Sequence, residues 1–145
     1  MNPKVDELVR FYETLAPATL GELPRLYDEN ARFRDPFNDV VGIDAIERIF
    51  LDMFERVDAP RFHVTHRIVE GAQAMLGWTF DFSLRGRDIR VRGVTHLLFG
   101  DDGRVVLHRD YWDPAGDLYA ALPIIGPLVR WLARRLSASG AGPQR

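Results

Sequence analysis

"AMLGWTFDFSL", residues 74–84, alternates without a break. Ala74, Leu76, Trp78, Phe80, Phe82 and Leu84 fall on one side, and Gly77, Thr79, Asp81 and Ser83 on the other. A period of two with aromatics on one side is the pattern of a strand buried on one face. The segments around it repeat that period. "RFHVTHRIV" (61–69) places Phe62, Val64, His66 and Ile68 together. Beyond a turn at "RGRD" (85–88), "IRVRGVTHLLF" (89–99) aligns Ile89, Val91, Gly93, Thr95, Leu97 and Phe99. After "GDDG" (100–103), "RVVLHRDYWD" (104–113) puts Val106, His108, Asp110 and Trp112 on one side. Strands joined by short turns predict an antiparallel meander of long hairpins.

The period in the N-terminal part is helical. Asn2 and Pro3 suit a cap and first turn, followed by Val5, Leu8, Tyr12 and Leu15 at helical spacing. Thr19 and Glu22 offer a capping box for a second helix, although Pro24 moves its start later. "GIDAIERIFLDMFERV" (42–57) is the clearest helix, with Ile46, Ile49, Phe50, Met53 and Val57 as its apolar stripe. Helices first and strands after predict an α+β domain, its helices packed on one face of a curved sheet. We expect one domain over 1–136, including an amphipathic segment at 117–136, and a flexible tail at 137–145.

The bulk composition narrows the function. The net charge is −2, so phosphate backbones exert no general pull, and nucleic acid is not an expected partner. Arg85, Arg87, Arg90 and Arg92 are read as a solvated hairpin face. The chain has no cysteine, which removes thiolate nucleophiles and zinc–thiolate sites and fits a cytoplasmic setting. The polar "MNPKVDELVR" start is not a signal peptide, and no apolar run reaches membrane-spanning length. No G-x-G-x-x-G, P-loop or HExxH motif is present, so we expect neither cofactor nor metal. The basic stretch "LVRWLARRL" (128–136) has two readings, packing over the domain or its partner, or resting on an anionic membrane surface.

A few polar groups share faces with large apolar side chains: Asp35, His66, Thr95, His108 and Asp110. A carboxylate in an apolar hollow must find a partner or shift its pKa, and one so placed can move protons. Asp35 precedes Pro36, so it is either a pocket carboxylate or a turn cap. His108 and Asp110, two apart on a strand, either form a functional pair or simply bind each other. His66 is read as a core or rim histidine or as a pocket group.

The chain resembles the NTF2-like superfamily of cone-shaped α+β folds, which includes ketosteroid isomerase, SnoaL-like polyketide cyclases and limonene epoxide hydrolase. The resemblance covers residues 4–118. "LYDENARFRDPF" (26–37) with "VGIDAI" (41–46) is similar to the isomerase segment carrying its general base, which implies Asp35 in that role. "HRDYWD" (108–113) is similar to the epoxide hydrolase segment with a water-activating aspartate, which implies Asp110. The isomerase tyrosine falls at Phe11, one step from Tyr12, and its protonated aspartic acid falls at Thr95. Trp78 and Phe80 occupy the positions of the hydrolase's arginine and second aspartate. The resemblance implies a cone enclosing a pocket, a small hydrophobic ligand and a homodimer. The candidate catalytic residues are Asp35, Asp110 and His108. The candidate ligand-binding residues are Tyr12, Tyr27, Phe50, His66, Trp78, Phe80, Phe82, Thr95 and Trp112. The activities implied are isomerisation, cyclisation or hydration by carboxylate acid–base chemistry, with a non-catalytic carrier as the alternative.

Overall fold

The computed structural model describes residues 2–119. The 120–136 part of the amphipathic segment and the 137–145 tail lie outside the described residues. Helix α1 (Pro3–Glu13) starts where Asn2 Oδ1 accepts hydrogen bonds from the amides of Lys4 and Val5, with Pro3 in the first turn. It buries Val5, Leu8, Val9, Phe11 and Tyr12. The expected Thr19–Glu22 box takes another form. Thr19 Oγ1 accepts from the Ala16 amide at 3.0 Å and starts a 3₁₀ turn, Pro17–Glu22. One α-helical turn, α2 (Leu23–Leu26), follows it.

Strand β1 (Tyr27–Arg34) and the short β2 (Asp39–Val41) form a hairpin. Helix α3 (Ile43–Arg56) buries Ile46 and Phe50 from its apolar stripe. Strands β3 (Asp58–Glu70), β4 (Gln73–Leu84), β5 (Arg87–Phe99) and β6 (Val105–Trp112) are the antiparallel meander. The β4–β5 turn has two residues, Arg85 and Gly86, both at positive φ (52° and 76°), which matches the twist of the flanking strands. The sheet order is β2-β1-β6-β5-β4-β3, and only the β1–β6 pair is parallel. The helices cover one face of this curved sheet, giving an α+β cone with its core between the layers. A π-helical turn, Pro114–Tyr119, closes the described chain.

Two irregularities change which side chains face inward. A bulge between Val64 and His66 inserts Thr65, and the alternation of β3 reverses after it. Phe62 and Val64 therefore face the helices, whereas His66 is exposed on the outer face and Ile68 is 66% exposed there. The sequence had put all four on one side. A second bulge between Leu98 and Phe99 pairs Phe99 with Val105, so Val105 is buried and Val106 is exposed. Val106 thus does not share the side of His108, Asp110 and Trp112.

On the outer face, Arg90 makes a two-point ion pair with Asp81 (2.6 and 2.9 Å), as expected of a solvated hairpin. Among the described residues, no helix is long and apolar enough to cross a membrane.

Candidate active site

Between α3 and the concave sheet lies a cavity of about 270 Å³, lined by Phe33, Ile49, Phe50, Met53, Phe62, Trp78, Phe80, Phe82, Val91, Trp112 and Leu118. Asp35, Asn38, Asp52, Arg56 and Asp110 supply its polar lining. A smaller inner compartment of about 30 Å³ continues past Phe50, Phe62, Trp78 and Asp110 to Tyr12, Val64, Thr95 and His108.

Pairing of β4 with β5 builds the wall. Trp78 lies opposite Gly93, and a Cβ at Gly93 would collide with the indole ring, so only glycine leaves the ring room there. Phe62 stacks on Phe80 (centroids 4.3 Å, 16°) and meets Trp78 edge to face (5.7 Å, 83°). Packed over Gly93, the indole reaches Thr95 Oγ1 with Nε1 and donates to it at 2.8 Å.

Thr95 begins a one-way hydrogen-bond arrangement. Its hydroxyl donates to Asp110 Oδ1 at 2.6 Å, across the β5–β6 pair. His108 Nε2 lies 2.8 Å from the same oxygen. A carboxylate only accepts, so Nε2 carries a proton, and in the neutral imidazole Nδ1 is then the acceptor. In that tautomer the Tyr27 hydroxyl donates to Nδ1 at 2.7 Å, and the Tyr12 hydroxyl donates to Tyr27 at 2.5 Å. His108 is packed between the rings of Phe33 (4.6 Å) and Tyr27 (6.0 Å). The parallel β1–β6 register makes this possible, because it sets Phe33 beside His108. Every donor points toward Asp110 Oδ1. Oδ2 of the same carboxylate accepts no bond from the described residues, and Asp110 lines both compartments.

Burial raises the pKa of both Tyr12 and Tyr27 well above the ordinary 10.0, and the Asp110 charge adds to this. Both phenols therefore stay protonated where free tyrosine ionises. A group whose folded pKa is raised contributes stability that is complete below the unfolded pKa, here about 10, and is lost as the pH rises through the folded value. We expect the denaturation midpoint to fall above about pH 10 and the fall to be shallower in Tyr27→Phe. Tyrosinate absorbance on the alkaline side should rise for the two buried phenols only together with unfolding.

Asp35 is placed differently. Its Oδ1 accepts from the Phe37 amide (2.8 Å), the Asn38 amide (2.7 Å) and Asn38 Nδ2 (3.1 Å), and its Oδ2 also accepts from Asn38 Nδ2 (3.1 Å). It caps the β1–β2 turn and also lines the cavity. Asp35→Ala should lower stability by about 1–2 kcal/mol, because two amides lose their acceptor, whereas Asp35→Asn, which keeps one oxygen, should stay within about 0.5–1 kcal/mol. Urea denaturation of the two variants measures the difference.

Of the other candidates, Tyr12, Phe50, Trp78, Phe80, Phe82, Thr95 and Trp112 line the two compartments. Tyr27 is fully buried behind His108 and is not part of the lining. His66 is turned away by the bulge. Sequence reasoning missed Asn38, Asp52 and Arg56. The last two are one helical turn apart on α3 and could have been found by extending its stripe toward the Ile49–Met53 side.

The sequence profile of the SnoaL-like domain matches residues 8–108. The chain belongs to the SnoaL-like domain family. Solved structures share the fold of this SnoaL-like domain at low identity. An NTF2-like protein from Burkholderia pseudomallei K96243 is 18% identical (TM-score 0.71, covering 84% of this chain and 98% of that one). A protein with a ketosteroid isomerase-like fold from Catenulispora acidiphila DSM 44928, in complex with trimethylamine, is 14% identical (TM-score 0.68; 85% and 92%). An LEH-like epoxide hydrolase from M. tuberculosis is 16% identical (TM-score 0.66; 88% and 93%). No curated protein matches the chain.

Proposed function

We propose that this SnoaL-like domain holds a small, mainly apolar molecule in the aromatic cup and that Asp110 is its acid–base group. The observation that carries this reading is the carboxylate itself: Oδ1 is fixed by Thr95 and His108, Oδ2 accepts no bond from the described residues, and Asp110 lines the cavity. A base must be positioned before it can work, and Oδ1 supplies that anchorage. His108 is the positioning residue, held in one tautomer by Tyr27 and Tyr12. Asp35, with both oxygens engaged by its turn, serves better as the rim of the cup than as the base. The cavity volume lies below the roughly 300 Å³ lower end of sites for drug-sized ligands, which favours a small molecule.

The polar groups also bear on the reaction. Enolate-forming steps such as ketone isomerisation need a donor for the developing oxyanion. Thr95 and Tyr12, at or beside the positions corresponding to the isomerase donors, already donate to Asp110 and Tyr27. The arrangement therefore favours proton transfer at a ligand's own X–H group, or activation of a water on Oδ2, as in hydration. The same shortage of free donors in the inner compartment supports a second reading, a carrier that binds without chemistry.

Incubating small alcohols, amines, epoxides and ketones with the protein in heavy water separates the two. Protein-dependent conversion, or protein-dependent deuterium incorporation at a carbon, that is lost in Asp110→Asn is the result expected of the enzyme. Binding without either leaves the carrier.

A further inference from the structure

We infer that the cup selects a small organic ammonium bearing at least one N–H, seated with that N–H on Asp110 Oδ2 and its hydrocarbon body against the aromatic wall. This rests on the cup-binding reading above and names the ligand class.

The inner compartment has four side-chain donors, and each is already used. Tyr12 donates to Tyr27, Trp78 to Thr95, and Thr95 and His108 to Asp110. What remains for a ligand there is acceptors alone, the Asp110 Oδ2 and the Tyr12 hydroxyl oxygen, of which Oδ2 carries the charge. A carbonyl, carboxylate or phosphate placed there would face acceptor against acceptor, with a charge penalty for the anions. A donor would be satisfied.

Charge and wall chemistry distinguish an ammonium from a neutral hydroxyl. The charged lining residues are Asp35, Asp52 and Asp110 against Arg56, with Arg48 outside the lining, 3.9 Å from Asp52. Among the described residues the lining is thus net acidic. Phe62, Phe80, Trp78 and Trp112 all line the cavity, and aromatic rings attract cations while doing nothing comparable for a neutral hydroxyl. The N⁺–H···O⁻ bond to Oδ2 is of the stronger, charge-assisted kind.

The test uses four probes of one shape on the full chain near neutral pH: benzylamine (a cationic donor), benzyl alcohol (a neutral donor), benzaldehyde (an acceptor only) and benzoate (an anion). Affinities are read by ligand-observed NMR. We expect benzylamine to bind at least about tenfold more tightly than benzaldehyde, the ratio of a charge-assisted bond to none. Asp110→Asn places an amide NH₂ where Oδ2 was, so it should erase that preference and strengthen benzaldehyde relative to the wild type. Benzaldehyde or benzoate binding as well as benzylamine overturns the inference and leaves the cup-binding reading standing. Benzyl alcohol matching benzylamine within twofold overturns the ammonium assignment. No binding of any probe up to about 10 mM, a range that covers the affinity of fragments this small, overturns the cup-binding reading as well.

Discussion

Asp110→Asn is expected to lower turnover by about 10²–10⁴-fold while leaving the fold intact. The two consequences separate because, in the proposed reading, one carboxylate oxygen is the anchor and the other takes the proton. The carboxamide oxygen can still accept from His108 Nε2 and Thr95 Oγ1, so the buried hydrogen bonds survive. The NH₂ group takes the place of Oδ2, where it cannot accept a proton. Protein-dependent conversion measures the loss, and the denaturation midpoint checks the fold. Retained turnover in Asp110→Asn would remove this carboxylate from the chemistry and return attention to Asp35.

Trp78→Ala is expected to lower stability by about 3–5 kcal/mol, a drop of roughly 6–20 °C in Tm for a domain of this size. The indole is 8% exposed, packs over Gly93, meets Phe62 edge to face and donates to Thr95. Removing it leaves a void between the core under α1 and the smaller cluster of Phe82, Ile89 and Val91. It also frees Thr95 to rotate and loosens one of the two bonds that fix Asp110. Trp78→Phe fills most of the volume, so it should recover most of the stability but not the Thr95 contact. Thermal denaturation of both variants separates packing from positioning.

Much of the architecture was legible because alternation and helical spacing are local. The unbroken pattern at 74–84 identifies the central strand, and the stripe at 46–57 identifies α3. The bulge at Thr65 was not legible. One extra residue leaves no mark in "HVTHRIV", yet it moves His66 from the inner to the outer face. The candidate site was legible in part. Asp110, His108, Thr95 and Trp78 could be singled out as polar or aromatic residues on inward faces. Their mutual bonds depend on strand register, and the link to Tyr27 depends on the parallel β1–β6 pair, which no neighbouring residues announce. Asp35 shows the limit of a motif, because an Asp-Pro turn reads the same with or without a second role.

The residues around the carboxylate come from α1 (Tyr12), β1 (Tyr27), β4 (Trp78), β5 (Thr95) and β6 (His108 and Asp110). No contiguous fragment shorter than about a hundred residues holds the set, since Tyr12 and His108 are 96 positions apart. Whatever chemistry this molecule performs must therefore wait for the last strand to insert beside the first. A nascent or truncated chain can have helices and hairpins and still be inert.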